Sequence, residues 1–152
     1  METKTLEDLI EWTRQLHERL AKCLAYCATR HEDERARALL EYLASHERTL
    51  EKIVQGYEKQ ADSQALRTWV YDYLPHKPID PHRACDLHYA ELSYDEIRRE
   101  VFDFHAQIIT LYRELLRNAP IPEARTLFES LLAMEEHETM RLSLQIGRMD
   151  DL

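Results

Sequence analysis

The sequence has very few of the residues that interrupt helices. Two glycines and five prolines occur among 152 residues, whereas leucine, alanine, glutamate and arginine are abundant. Proteins rich in turns and sheets need glycine and proline, and helix interiors avoid both. A chain of this length typically forms one compact domain. We therefore predict an all-α fold and a single domain over residues 1–152.

Basic residues are also in deficit. Lysine and arginine number 20 against 29 acids, so the formal net charge is −9. Nucleic-acid binding depends on clustered basic residues, and we predict no nucleic-acid partner. No apolar run reaches about 18 residues, and the N-terminus lacks the apolar segment of a signal peptide. We therefore expect no membrane partner and a cytoplasmic location, and the odd count of three cysteines does not indicate a disulfide framework.

Apolar residues at helical spacing predict four long helices. Thr5 and Ser93 begin capping boxes, Asp33 is an N-cap, and Pro122 suits a first helical position. The predicted helices cover about 6–29, 34–57, 94–117 and 122–146. Short turns make consecutive helices antiparallel, so we predict hairpins over 5–58 and 93–148.

A crossover over residues 59–92 joins the two predicted hairpins. It contains a short predicted helix, from Ser63 to Tyr73, with Trp69, Val70 and Tyr73 as anchors. Three prolines follow within a few residues and exclude a continuous helix.

The two hairpins are related in sequence. Sliding the chain by 88 residues pairs His17 with His105 and Glu47 with Glu135, without a gap through the turn. Apolar matches between any two amphipathic helices are expected, but matched polar residues in one register indicate an internal duplication.

Polar residues interrupt the apolar faces at these paired positions. Buried charges cost several kcal/mol unless they are paired, protonated or bound to metal. If the hairpins pack about a pseudo-twofold axis, the paired residues converge in the middle of the bundle. Imidazole and carboxylate suit iron, manganese or zinc, so we predict a site for one or two such ions. The predicted ligands are His17, Glu47, His105, Glu135 and Glu138, with His46 and His137 as secondary candidates.

Two helical hairpins, a long crossover and inward acids at equivalent places resemble the ferritin-like superfamily, which includes the rubrerythrins and bacterioferritins. The likeness covers nearly the whole chain and implies a ferritin-like four-helix bundle. In that superfamily a glutamate from each of two helices and a Glu-x-x-His from each of the others hold a di-iron centre. Here the lone-glutamate positions match His17 and His105. The Glu-x-x-His positions read Glu47-x-x-Leu50 and Glu135-x-x-Glu138, so the implied ligand set is divergent.

The resemblance also implies an activity. It is a metal-dependent oxidoreductase that activates oxygen or peroxide, or oxidises ferrous iron, with Tyr42 or Tyr112 as a redox-capable neighbour. A metal-free ferritin-like bundle that serves as an interaction or regulatory module is the alternative. A third hypothesis is an iron-handling subunit that works as a homodimer or larger homo-oligomer.

Other features carry weaker signals. The loop residues His82, Cys85, Asp86 and His88 have ligand-like spacing, but no second cluster completes a zinc site, and a polar surface loop explains them equally.

Structural explanations also exist for the remaining candidates. Cys23 and Cys27 share a helix face, which fits small apolar packing as well as soft-metal binding. Histidines and glutamates inside helices can be hydrogen-bonded core residues or can reach solvent. A phosphate-binding loop is excluded, because the chain's glycines are Gly56 and Gly147.

Overall fold

The computed structural model describes residues 5–70 and 87–150. These residues form a 3₁₀ turn, His88–Glu91, and five α-helices, and they contain no strand, so the prediction of an all-α fold is confirmed. The helices are α1 (Leu6–Ala28), α2 (Glu34–Gln60), α3 (Ser63–Leu66), α4 (Tyr94–Arg117) and α5 (Pro122–Asp150).

The long helices begin where the sequence predicts. The hydroxyls of Thr5 and Ser93 accept the backbone N–H groups three residues on, and the acids there bind the cap backbone in return. Asp33 accepts the backbone N–H of Arg35 at the start of α2. Each cap satisfies N–H groups that the first helical turn leaves unpaired. The starts of α1 and α4 are 88 residues apart, as are those of α2 and α5, so the helix boundaries follow the sequence repeat.

Helix α5 extends further than predicted. It continues past Ile146 to Asp150. The Asp150 carboxylate accepts hydrogen bonds from the Tyr94 hydroxyl at 2.7 Å and from Arg98 Nη1 at 2.6 Å. These contacts from the start of α4 hold the last turn of α5 in place.

The four long helices enclose a shared apolar core. Helix α1 packs along α2, α4 packs along α5, and the two pairs meet through contacts of α2 with α4 and α5. Leu9, Leu43, Val101 and Leu131, one from each long helix, are fully buried. Burial of such a side chain contributes about 1.5–3 kcal/mol, so this core fixes which helix faces point inward.

The first part of the crossover differs from prediction. Helix α3 ends at Leu66 instead of continuing to residue 73. The Thr68 hydroxyl bonds to Gln64 O at 3.0 Å, and Thr68 O accepts the Leu6 N–H at 2.8 Å, which turns the chain toward α1. Trp69 pairs with Thr5 in an isolated bridge, but it is 60% exposed, so its ring contributes little to the buried core.

The other predicted anchors have different outcomes. Val70 is buried, as predicted, whereas Tyr73 lies outside the described residues. Residues 71–86, which make up nearly half of the predicted crossover, also lie outside the described residues.

The two cysteines of α1 differ in chemical state. Cys23 is disulfide-bonded, whereas Cys27 is buried and is not part of a disulfide. They therefore do not form a dithiol metal site. Disulfides persist mainly in oxidising compartments, so the cysteines do not support the predicted cytoplasmic location. None of the helices in residues 5–70 and 87–150 has the length and apolarity of a membrane span.

Candidate metal centre

Four ionisable side chains meet in the middle of the core. His17, Glu47, His105 and Glu135 come from α1, α2, α4 and α5 respectively, and each is fully buried. Each lies on the inward face of its helix, because apolar residues at helical spacing before and after it fill the core. The structure thus brings together the two pairs that the repeat singles out.

Hydrogen bonds cross between the hairpins in a symmetric way. His17 Nε2 lies 2.9 Å from Glu135 Oε1, and His105 Nε2 lies 2.5 Å from Glu47 Oε1. In both bonds the histidine of one hairpin binds the glutamate of the other. The 88-residue register of the sequence repeat therefore relates these two bonds to each other.

The bonds within the hairpins are not symmetric. His17 Nδ1 lies 2.8 Å from Glu47 Oε2, so the Glu47 carboxylate binds both histidines. In the second hairpin His105 Nδ1 lies 3.3 Å from the Thr139 hydroxyl instead. Among the described residues, Glu135 Oε2 is buried and has no hydrogen-bond partner. Glu47 is therefore the centre of the network, and Glu135 is one of its ends.

His46 and Glu138 extend the cluster toward the surface. Their side chains are 10% and 9% exposed, and His46 Nε2 lies 3.5 Å from Glu138 Oε2. This separation does not complete a hydrogen bond, and both ring nitrogens of His46 lack one within the described chain. Glu138 Oε1 accepts a hydrogen bond from Arg141 at 3.2 Å. A neutral His46 ring can therefore offer one lone-pair nitrogen to a ligand and one N–H to an acceptor.

Three of these residues are spaced for a metal ion. His46, Glu47 and His105 each offer a donor atom, and these atoms lie within 4.8 Å of one another. The His46 and His105 ring centroids are 5.9 Å apart. Two imidazoles and one carboxylate are the donor set of mononuclear non-haem iron sites, and imidazole also suits zinc.

The pKa shifts of three residues indicate which members of the network are charged. Burial lowers the pKa of His17, but the Glu135 and Glu47 carboxylates outweigh burial and raise this pKa to about 10. Burial raises the pKa of Glu47, yet His105 and His17 outweigh it and hold this pKa well below its usual range. Burial lowers the pKa of His46. At neutral pH the metal-free cluster therefore contains a His17 imidazolium, a Glu47 carboxylate and a neutral His46.

His137 does not join the cluster. It is exposed on α5, because it lies two residues beyond Glu135 and a two-residue step turns a helix toward its opposite side. This placement corrects its inclusion among the secondary metal candidates.

The two predicted tyrosines lie in different surroundings. Tyr112 is fully buried with Thr13 as a neighbour, and its hydroxyl has no hydrogen-bond partner among the described residues. Burial, followed by the Glu135 charge, raises the pKa of Tyr112. Tyr42 is half-buried beside Glu138 and Arg141. Both tyrosines are thus close to the acids of α5.

The loop cluster is only partly described. His88 Nε2 lies 2.7 Å from Oε2 of Glu100, which belongs to α4. His82, Cys85 and Asp86 lie outside the described residues.

Sequence reasoning missed a cleft of about 360 Å³ between α2 and α5. Its lining includes His46, Glu138, Tyr42, Arg141 and Arg148. Since His46 and Glu138 also adjoin the buried cluster, the cleft gives that cluster access to solvent. One signal was available in the sequence, because Glu138, Arg141 and Arg148 recur at helical spacing along α5.

No protein-family model, curated protein or solved structure matches the chain. Its function is therefore inferred from the chemistry of its own residues.

Proposed function

We propose that the protein binds one divalent transition-metal ion, with iron as the first choice and manganese or zinc as alternatives, between His46, Glu47, His105 and Glu138. The main support is His46, whose two buried ring nitrogens have no hydrogen-bond partner among the described residues and which lies beside Glu47 and His105. A buried polar group without a partner costs about 1–3 kcal/mol. A metal ion removes that cost by coordinating the ring.

Charge balance supports a divalent ion at this position. Glu47 and Glu138 contribute two negative charges when ionised, and neutral His46 and His105 contribute none. The sum matches a 2+ ion, so the buried complex is close to neutral, as a low-dielectric interior requires. His105 would be one of the residues that hold the ion, since its Nε2 already lies at hydrogen-bond distance from Glu47 Oε1.

His17 and Glu135 have a supporting role in this proposal. His17 binds the second oxygen of Glu47 and is itself held by Glu135. Such hydrogen-bonded partners fix the orientation and charge of a metal-binding carboxylate. The four proposed ligands would thus hold the ion, and the His17–Glu135 pair in the core would fix the position of the Glu47 carboxylate.

The ferritin-like arrangement and an oxidoreductase activity belong to the same proposal. The ferritin-like arrangement is supported by the two repeat-related hairpins, because the histidine of each hairpin hydrogen-bonds to the glutamate of the other. Iron would supply one-electron chemistry toward oxygen or peroxide when bound there.

Titration calorimetry tests the metal site. Chelator-treated protein is titrated with Fe²⁺ under anaerobic conditions, and separately with Mn²⁺ and Zn²⁺. We expect about one equivalent of at least one ion to bind. Glu47→Gln removes a ligand charge and should abolish this binding, whereas Glu41→Gln changes an exposed acid of the same helix and should preserve it. Equal binding by the two variants would remove Glu47 from the site.

A metal-free interaction or regulatory module is the second candidate. One observation favours it: Glu135, His17, Glu47 and His105 already form a continuous chain of buried ion pairs. Such a network can satisfy buried charges without an ion. The calorimetric titration separates the candidates, since this one predicts no stoichiometric binding of any of the three ions.

A further inference from the structure

The cleft between α2 and α5 differs from the rest of the protein in its charge. Two guanidinium groups, Arg141 and Arg148, and one carboxylate, Glu138, line it. The cleft is therefore locally positive in a protein whose formal net charge is −9. Opposite local charge of this kind concentrates small anions and repels cations.

The arginines lie at the mouth of the cleft, and the buried cluster lies at its floor. Arg141 is 66% exposed in its side chain, whereas Glu138 is 9% exposed. Arg141 donates to Glu138 at 3.2 Å, and Arg148 donates to Gln145 at 3.4 Å. A guanidinium has five N–H donors in a planar fork, so these contacts leave donors that match a carboxylate or a phosphate.

The opposite wall adds hydroxyl groups. Tyr42, Ser45 and Thr49 line the cleft from α2. Their hydroxyls can donate to or accept from the oxygens of a polar ligand. Leu144 on the α5 side is 62% exposed and offers an apolar contact for a carbon skeleton. A neutral diatomic gas needs none of these groups, and an inorganic anion does not need Leu144.

We propose that this cleft is the substrate site of the buried centre and takes a small organic anion that bears a carboxylate or phosphate group. The anionic group pairs with Arg141 and Arg148, and the carbon skeleton contacts Leu144. His46 and Glu138 form both the floor of the cleft and the outer side of the cluster, so a ligand in the cleft adjoins the proposed ion. The inference rests on the proposed function, because it identifies the substrate class of that same site. A volume of about 360 Å³ suits a molecule of metabolite size.

Calorimetry with defined anions tests the inference. The probes are succinate and glycerol 3-phosphate, with succinamide as the neutral analogue of succinate. Each is titrated into metal-loaded and into chelator-treated protein at fixed ionic strength. We expect saturable binding of at least one of the two anions to both forms, tighter in the metal-loaded form, and no binding of succinamide. Whichever anion binds identifies the source as a carboxylate or a phosphate.

Two charge variants on one helix provide the control. Arg141→Gln combined with Arg148→Gln should weaken binding of the anion about tenfold or more, which corresponds to the loss of charge-assisted hydrogen bonds. Arg125→Gln removes an exposed arginine of α5 outside the cleft and should leave the affinity unchanged. Equal affinities in the two variants would overturn the inference, as would the absence of saturable binding by both anions.

Metal content of the same samples separates this inference from the proposed function. Suppose that the anions bind and that the double variant lowers their affinity, but that no metal is taken up. The anion cleft is then supported and the proposed metal centre is contradicted. If one equivalent of metal binds and neither anion does, the metal centre is supported and the substrate inference fails. Arg141, and not Arg148, donates the hydrogen bond to Glu138. Arg148→Gln alone should therefore lower the affinity for the anion and leave the metal content unchanged.

Discussion

His17 and His105 occupy the same position in two repeats 88 residues apart, and each bonds through Nε2 to the glutamate of the opposite hairpin. Their Nδ1 atoms differ, because that of His17 binds Glu47 and that of His105 faces Thr139. The repeat therefore builds a symmetric framework, and its second half departs from symmetry. The departure leaves one buried carboxylate oxygen, on Glu135, without a partner among the described residues.

The first prediction concerns the two glutamates in the metal-free protein. Glu47 binds two histidines and Glu135 binds one. A glutamine at 47 has one oxygen for the two histidines, so its amide N–H group must face the N–H of His17 or of His105. A glutamine at 135 faces His17 alone and can turn its oxygen toward that N–H. We expect Glu47→Gln to lower the free energy of unfolding by about 3–5 kcal/mol and Glu135→Gln by about 1–3 kcal/mol.

Urea unfolding in the presence of a chelator measures both effects. Equal losses in the two variants, or a larger loss in Glu135→Gln, would contradict the central position of Glu47. The exposed Glu41 on α2 provides the control, and Glu41→Gln should change the free energy of unfolding by less than about 0.5 kcal/mol.

The second prediction is a loss of stability at alkaline pH in the chelated protein. The folded-state pKa of His17 is raised to about 10, against an ordinary value of about 6.5 when unfolded. A raised pKa means that the folded state binds the proton more tightly. The stabilisation is thus fully present below about pH 6.5 and is lost as the pH rises through about 10.

The folded pKa of Glu47 is depressed, so its contribution has the opposite sign. It is present above the ordinary glutamate value of about 4.3 and is lost as acid titrates the folded carboxylate. Urea unfolding at a series of pH values measures both limbs. His17→Gln should flatten the alkaline limb, and a variant with the alkaline slope of the wild type would contradict the assignment.

The third prediction concerns the Tyr112 hydroxyl. It is buried and lacks a hydrogen-bond partner in the described part of the chain. Tyr112→Phe removes a desolvated polar group and retains the ring, so we expect the melting temperature to stay the same or to rise. A fall of several degrees would show that the hydroxyl has a stabilising partner.

Tyr94→Phe is the matched control for this change. The Tyr94 hydroxyl donates to Asp150 at 2.7 Å. Its removal should cost about 1 kcal/mol, because a hydrogen bond that holds the end of α5 is lost. Differential scanning calorimetry of both variants gives the comparison.

The sequence predicts the helices and the inward residues well, for a physical reason. Caps such as Thr5 and Asp33 act locally, and the apolar period of each helix determines which residues face the core. His17, Glu47, His105 and Glu135 interrupt that period, and all four are buried. The repeat register then indicates that they meet.

The outer part of the site depends on packing that one sequence does not contain. His46 is next to Glu47 and points about 100° away from it around α2, so its role depends on where α5 lies. The same placement of α5 brings Glu138 to His46 and opens the cleft. The end of α3 at Leu66 likewise follows from a tertiary bond, between Thr68 O and the Leu6 N–H.

The fourth prediction tests the metal centre through its least expected member. Elemental emission spectroscopy of protein purified without chelator from iron-supplemented cells compares His46→Ala with His137→Ala. Both remove a histidine, but His46 adjoins Glu47 and His105 whereas His137 is exposed on α5. We expect about one equivalent of metal in the wild type and in His137→Ala, and less than about a tenth of an equivalent in His46→Ala, because loss of one of four ligands typically removes stable binding. Equal metal content in the two variants, or a wild type without metal, would contradict the proposed centre.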